Sequence, residues 1–236
     1  MPTFTEVFAA ALSANGISRY SGLAPSFEKL AVMLRETNEK YNLTAITDDA
    51  GISYKHFADC LLAAGHFPAN ASVADVGCGG GFPCLPLALA RPDLKITAID
   101  STAKKLGFIK EAADALGLSN IKTVCGRAEE LGRTDLRESF DVVTARAVAR
   151  LNILCEWCVP LVKKGGLFIA LKGKDAKAEL DEAGGALRVL GCTAELTEYT
   201  LLAPEEQERG IIIMKKNTAT PGEYPRNGGK IKKKPL

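Results

Sequence analysis

The chain has 236 residues, 47% of them hydrophobic and 25% charged, with a formal net charge of only +2. That is the composition of a globular domain with a small extension. It excludes a membrane-spanning helix, since no apolar run nears ~18 residues. The scattered, odd set of seven cysteines also excludes a secreted disulfide framework.

The start, "MPTFTEVFAA", has no basic leader region and contains an acid, so no signal peptide is expected. A reducing, cytoplasmic compartment suits the cysteines. The first 70 residues read as a helical extension. Thr3 and Glu6 are spaced as a capping box. "SFEKLAVMLRETNEKYNL" places Phe27, Leu30, Ala31 and Leu34 on one helical face. "YKHFADCLLAAG" predicts a third helix, ended by Gly65.

From Ser72 short strand candidates alternate with helical runs. The strands are "SVADVG", "KITAID", "IKTVCG", "FDVVTA" and "GGLFIALKG". The intervening segments "PCLPLALA", "TAKKLGFIKEAADALG", "AEELGR" and "VARLNILCEWCVPLVKK" carry the helical pattern. Such alternation predicts βαβ units and a parallel sheet covered on both faces. "CTAELTEYTL" and "RGIIIMKK" follow without a helix between them and predict a hairpin on one sheet edge. The fold class is thus α/β, with a core over 71–216. The last segment, 217–236, is rich in Pro, Gly and Lys and reads as a basic tail. From Lys215 onward there are seven lysines and arginines against one acid, so the rest of the chain is mildly acidic. A tail of that kind suits a polyanion.

The loop "DVGCGGGFPC", 75–84, follows the first of these strands and opens a helix, the position of the ligand crevice in a doubly wound sheet. Its pattern is Gly77-x-Gly79-x-Gly81. A dinucleotide fingerprint would put its third glycine where Phe82 stands. Asp75 precedes the glycines; a carboxylate there repels a pyrophosphate and can anchor an ammonium. The second strand ends in Asp100, placed to accept from ribose hydroxyls. An ammonium and a ribose without a phosphate describe S-adenosylmethionine.

With those residues in view, the chain resembles the bacterial small-subunit rRNA methyltransferase G family, also called glucose-inhibited division protein B. The resemblance runs through "YNLTAI", "HFADCL", "DVGCGGGFPCLPLALARPDL", "DSTAKKLGFI", "GRAEE", "FDVVTARAVA", "LKGK" and the ending "YPRNGGKIKKKPL". Cys84 stands where the family usually has Gly, and Cys60 where it usually has Ser. The resemblance implies a Rossmann-like class I methyltransferase with a mostly parallel seven-stranded sheet. It also implies methylation of a guanine N7 in 16S rRNA, to 7-methylguanosine, with S-adenosylmethionine as donor; separately, no metal is expected. Carried over by position, it implies a cofactor site at Gly77, Phe82, Ala128, Glu129 and Arg146. Gly79, Gly81, Asp75 and Asp100 join it from the reading of the loop.

Guanine N7 already carries a lone pair and needs no strong general base, so positioning is the main task. The segment after the fourth strand, "TARAVA", agrees: it has no N/D-P-P-Y run for an exocyclic amine and no cysteine for a covalent intermediate. Arg146 is the best candidate to orient a substrate group. The RNA, as naked 16S rRNA, a precursor or the assembled subunit, would be gripped by Lys104, Lys105, Lys172, Lys174, Arg209, Arg226 and the lysine tail.

Cys155-x-x-Cys158 lies in an apolar helical run without a second ligand pair and reads as core packing. His56 and His66 are the only histidines, which excludes a multi-histidine metal site; His56 can orient Asn42 or Asp59. The alternatives are a dinucleotide oxidoreductase, a non-catalytic RNA-binding factor on this fold, or a methyltransferase with a small substrate.

Overall fold

A computed structural model describes residues 2–236. Helix α1 (Phe4–Ala14) starts at the predicted box: Thr3 Oγ1 accepts from the Glu6 N–H, and the Glu6 carboxylate accepts from the Thr3 N–H. Helix α2 (Ala24–Tyr41) ends at Asn42, which adopts a left-handed conformation (φ +47°). A third helical rod comprises α3 (Asp49–Gly51), a π-helical stretch Ile52–Ala58 and α4 (Asp59–Leu62). Gly65 does not end this rod: a 3-10 turn, Ala63–His66, carries the chain past it to Phe67.

The sheet contains β1 (Ser72–Val76), β2 (Lys95–Asp100), β3 (Ile121–Cys125), β4 (Phe140–Arg146), β5 (Val162–Lys172), β6 (Cys192–Leu202) and β7 (Gln207–Lys216). Its order is β3-β2-β1-β4-β5-β7-β6. Strands β1 to β5 are parallel, and β7 runs antiparallel between β5 and β6. The predicted hairpin therefore forms, with β6 alone at the edge. Strand β5 begins at Val162, three residues before the predicted glycine pair. The helices between strands are α5 (Cys84–Ala90), α6 (Ala103–Leu116), α7 (Ala128–Leu131) and α8 (Leu151–Cys158). Two more, α9 (Ala176–Glu182) and α10 (Gly184–Val189), occupy a segment for which no element was expected.

Side chains alternate across a strand, and the two cores follow that rule. Val73, Val142, Ile211 and Ile213 join one cluster; Ala74, Val143, Ile212 and Met214 join the other. The first cluster also contains Phe4, Phe8, Phe27, Phe57 and Phe82. The N-terminal helices thus share a core with the sheet. Their aromatic rings pack in a chain from Phe8 to Phe27 (4.8 Å between centroids), Phe57 (4.7 Å) and on to Phe82 (6.1 Å) in the glycine loop.

The C-terminal segment is packed against the core. Arg226 forks onto the Glu156 carboxylate of α8, with Nε at 2.9 Å and Nη2 at 2.6 Å. Arg133 and Arg137 donate to backbone carbonyls of residues 220 to 225. A final helix, α11 (Gly228–Lys233), is capped by Asn227 and buries Ile231 completely. Its lysines are exposed, so the composition of a solvated tail conceals a fixed element.

Candidate active site

Strand order reverses between β1 and β4, the topological switch point where α/β sheets open a crevice. A cavity of about 490 Å³ lies there, over the ends of β1, β2 and β4. The glycine loop forms its floor. Gly77 has φ +71°, and a Cβ on it would strike Val148. Gly81 has φ +90°, and a Cβ on it would strike Leu85 of α5. Gly77 and Gly79 line the cavity, whereas Gly81 is a packing glycine behind it.

Asp100 stands at the end of β2 on the cavity wall. Its Oδ2 accepts from the Gly79 N–H (3.1 Å) and its Oδ1 from the Thr102 N–H (2.8 Å). Each oxygen keeps a second lone pair for a ligand hydroxyl. Ala128 and Glu129, at the start of α7, form the neighbouring wall, with the backbone of Gly228 close against the Glu129 carboxylate.

Asp75 departs from the placement expected of it. Its side chain is covered beneath the loop, where Oδ2 accepts the Cys84 N–H at 3.0 Å and Oδ1 has no partner. It holds the loop from below instead of facing the cavity. Burial pushes its carboxyl up to about 7, against the pull of Cys84 and Arg146. Cys84 is fully buried here, and burial raises its thiol.

The β4 end of the cavity is a network built on Arg146. Its Nη1 donates to Asp59 Oδ2 (2.8 Å) and to the Lys55 carbonyl (3.0 Å), and its Nη2 lies 3.2 Å from His56 Nδ1. Asp59 also accepts from Arg209 Nε at 3.0 Å. One carboxylate thus joins two guanidiniums, and the mouth stays net positive. His56 comes from the π-helical stretch, a geometry frequent at functional sites. Its ring stacks on Phe82 at 4.4 Å, and Arg146 lies 5.3 Å above the same ring. Burial first, and then Arg146, lower His56 to about 4. His56 meets Thr44 and Arg146, not Asn42.

The six RNA candidates fall into two groups. Lys104, Lys105 and Lys174 are exposed or line the cavity. Lys172, Arg209 and Arg226 are each paired with a carboxylate, and the burial of Lys172 corrects its expected role. Lys172 is buried, with Nζ on Glu179 (2.7 Å) and the Ala149 carbonyl (2.8 Å). Arg209 serves Asp59 and Gln207, and Arg226 serves Glu156. A buried charge needs its partner, so Lys172 is not a spare phosphate ligand, whereas Arg209 and Arg226 are half-buried and hold Asp59 and Glu156. Arg127, Lys232 and Thr44 line the cavity but were not singled out by sequence. The first lies in the "GRAEE" block; the second was hidden in the lysine tail. Cys155 and Cys158 are buried in the core as expected.

The residues present suit a nucleoside with a charged amino-acid portion. The volume is that of a ligand pocket, Asp100 offers acceptors to a ribose, and the loop leaves room beside bare backbone. This fold and this cavity define a Rossmann-like class I S-adenosylmethionine-dependent methyltransferase. The family model for rRNA small subunit methyltransferase G matches residues 24–208. The chain belongs to that family. It is 46% identical over 234 residues to a ribosomal RNA small subunit methyltransferase G of Brevibacillus brevis, covering 98% of each chain. A protein of the same name from an Exiguobacterium species is 47% identical over 232 residues, covering 97% of this chain and 98% of the relative. Among solved structures, cofactor-bound Rv0187 from MTB superposes with a TM-score of 0.58 at 20% identity, over 82% of this chain and 91% of that one. M. jannaschii TYW2 in complex with AdoMet gives 0.54 at 15% identity, over 67% and 74%. These structural likenesses concern the fold alone. The oxidoreductase and non-catalytic alternatives end with the family.

Among the described residues, no helix is long and apolar enough to cross a membrane.

Proposed function

We propose that the chain methylates N7 of a guanine in 16S rRNA, the RNA of the small ribosomal subunit, in the cytoplasm. The observation that carries this reading is the chemistry of the cavity's β4 end. Arg146 can only donate, and both nitrogens of His56 are engaged, by Arg146 and by Thr44 (2.8 Å). No spare base faces a substrate there. That suits a nucleophile with its lone pair already formed and is unfavourable for an amine or a ring carbon that must lose a proton.

In this reading Gly77, Gly79, Asp100, Ala128 and Glu129 hold the nucleoside half of S-adenosylmethionine. Phe82 and Arg146 border its methionine half, and Asp75 and Gly81 keep the loop in shape. Bound there, the cofactor supplies an electrophilic methyl group and leaves as a neutral thioether. The chain holds the guanine in line, keeps water out with Phe82 and Val148, and offers donors to the base edge. Lys104, Lys105, Lys174, Arg127 and Lys232 meet RNA phosphates. The helices of 1–70 act as part of the catalytic body, since their core runs into the loop.

The test is chemical. Deleting the gene removes one borohydride/aniline cleavage site from the small-subunit rRNA, and restoring it on a plasmid returns the site. An unchanged cleavage pattern after deletion ends the proposal.

A further inference from the structure

The hydrogen bonds around Thr44 are not closed by the protein. Arg146 Nη2 lies 3.2 Å from His56 Nδ1. A guanidinium has no acceptor, so Nδ1 must accept, and the single proton of the neutral ring sits on Nε2. That proton points to Thr44 Oγ1, 2.8 Å away. The same oxygen accepts the backbone N–H of Ile46 at 3.0 Å. Both lone pairs of the hydroxyl are then filled, and its own proton has no acceptor among the described residues. Thr44 lines the cavity beside Arg146 and Phe82. The ring stays neutral at physiological pH because burial and Arg146 oppose its protonation, so the pattern persists.

We infer that the Thr44 hydroxyl is committed to donate into the cavity, and that its acceptor is O6 of the target guanine. This rests on the guanine-N7 reading above. Guanine presents N7 and O6 acceptors on its Hoogsteen edge, whereas adenine presents N7 and an amino donor. A donor wall of Thr44 and Arg146 matches the first and opposes the second with N–H against O–H. His56 is a positioning residue: it fixes the direction of the hydroxyl without touching the base. The same donor chemistry also suits the carboxylate of the cofactor's methionine half, and the experiment separates the two.

The full-length protein is compared with Thr44→Val and Thr44→Ser. S-adenosylhomocysteine affinity is measured by calorimetry. Methyl transfer is measured on small subunits from the deletion strain, read as aniline-sensitive cleavage. Thr44→Val is expected to lower kcat/KM for the subunit roughly 10- to 100-fold, as for a lost hydrogen bond that leaves polar groups unpaired. Cofactor-product affinity stays within about twofold of the parent on the same reasoning, and Thr44→Ser restores transfer. If Thr44→Val does not fold, the smaller Thr44→Ala gives the same comparison. A tenfold loss of S-adenosylhomocysteine affinity assigns the hydroxyl to the methionine carboxylate and overturns the inference. Unchanged transfer by Thr44→Val overturns it too. Absence of cleavage with the parent protein refutes the guanine-N7 reading itself, a result distinct from either.

Discussion

Among the described residues two carboxylates are wholly buried, Asp75 and Glu156, and their surroundings are opposite. Glu156, beneath the C-terminal segment, receives the fork of Arg226 and the Arg226 N–H at 2.7 Å. Asp75, beneath the glycine loop, receives one N–H and leaves an oxygen bare. The first region is electrostatically finished and serves architecture. The second is unfinished and sits under the site where a cationic ligand is proposed. Burial of an acid is therefore not informative by itself; the completeness of its partners separates a strut from a site.

The comparison breaks most visibly at Glu156. Arg226→Ala leaves that carboxylate buried without its countercharge, and a loss of about 3–5 kcal/mol is expected, read by urea unfolding. A loss below about 1 kcal/mol, the range of an exposed ion pair, would mean that the C-terminal segment is a solvated tail after all. An effect that depends on pH is expected at Asp75. Its folded carboxyl titrates at about 7, against an ordinary value of 3.8. Between those values the folded state keeps a proton that the unfolded chain releases, so stability falls as pH rises from about 4 to 7. Asp75→Asn removes that slope, and its melting temperature should gain on the parent's across the window. Equal slopes for the two proteins would place the burden elsewhere. The smallest effect belongs to the exposed cations. Lys232→Ala should leave the unfolding midpoint unchanged and reduce the slope of log affinity for RNA against log salt by about 1. A fall in stability instead would make it a second strut.

The strands and the loop were legible because their signals are local. A buried run such as "SVADV", preceded by Pro68 and Asn70 and followed by Gly77, has few alternatives. The capping box of Thr3 and Glu6 spans three residues and formed as read. What escaped depends on distant partners. Residues 176–189 carry Gly184 and Gly185, which weaken a helical pattern, yet α9 is held against α8 and β7, and α10 against α8 and β6. Residues 217–236 have a linker's composition, yet Arg226 finds Glu156 across 70 residues. Lys172 looks like a phosphate ligand until its burial against Glu179 is seen. Asp75 lies beneath the glycine loop and not on its cavity side, a difference invisible in a strand pattern, which gives alternation and not depth.

The chain holds a single tryptophan, and it forms part of the cavity wall, with Lys232 5.8 Å from its ring and its indole N–H unpaired. Nature has thereby installed one optical probe at the place of interest. Intrinsic emission excited near the indole band reports a single environment, free of the averaging that blurs most proteins of this size. A titration in an ordinary fluorimeter, without labels or isotopes, reads ligand entry directly from that one side chain.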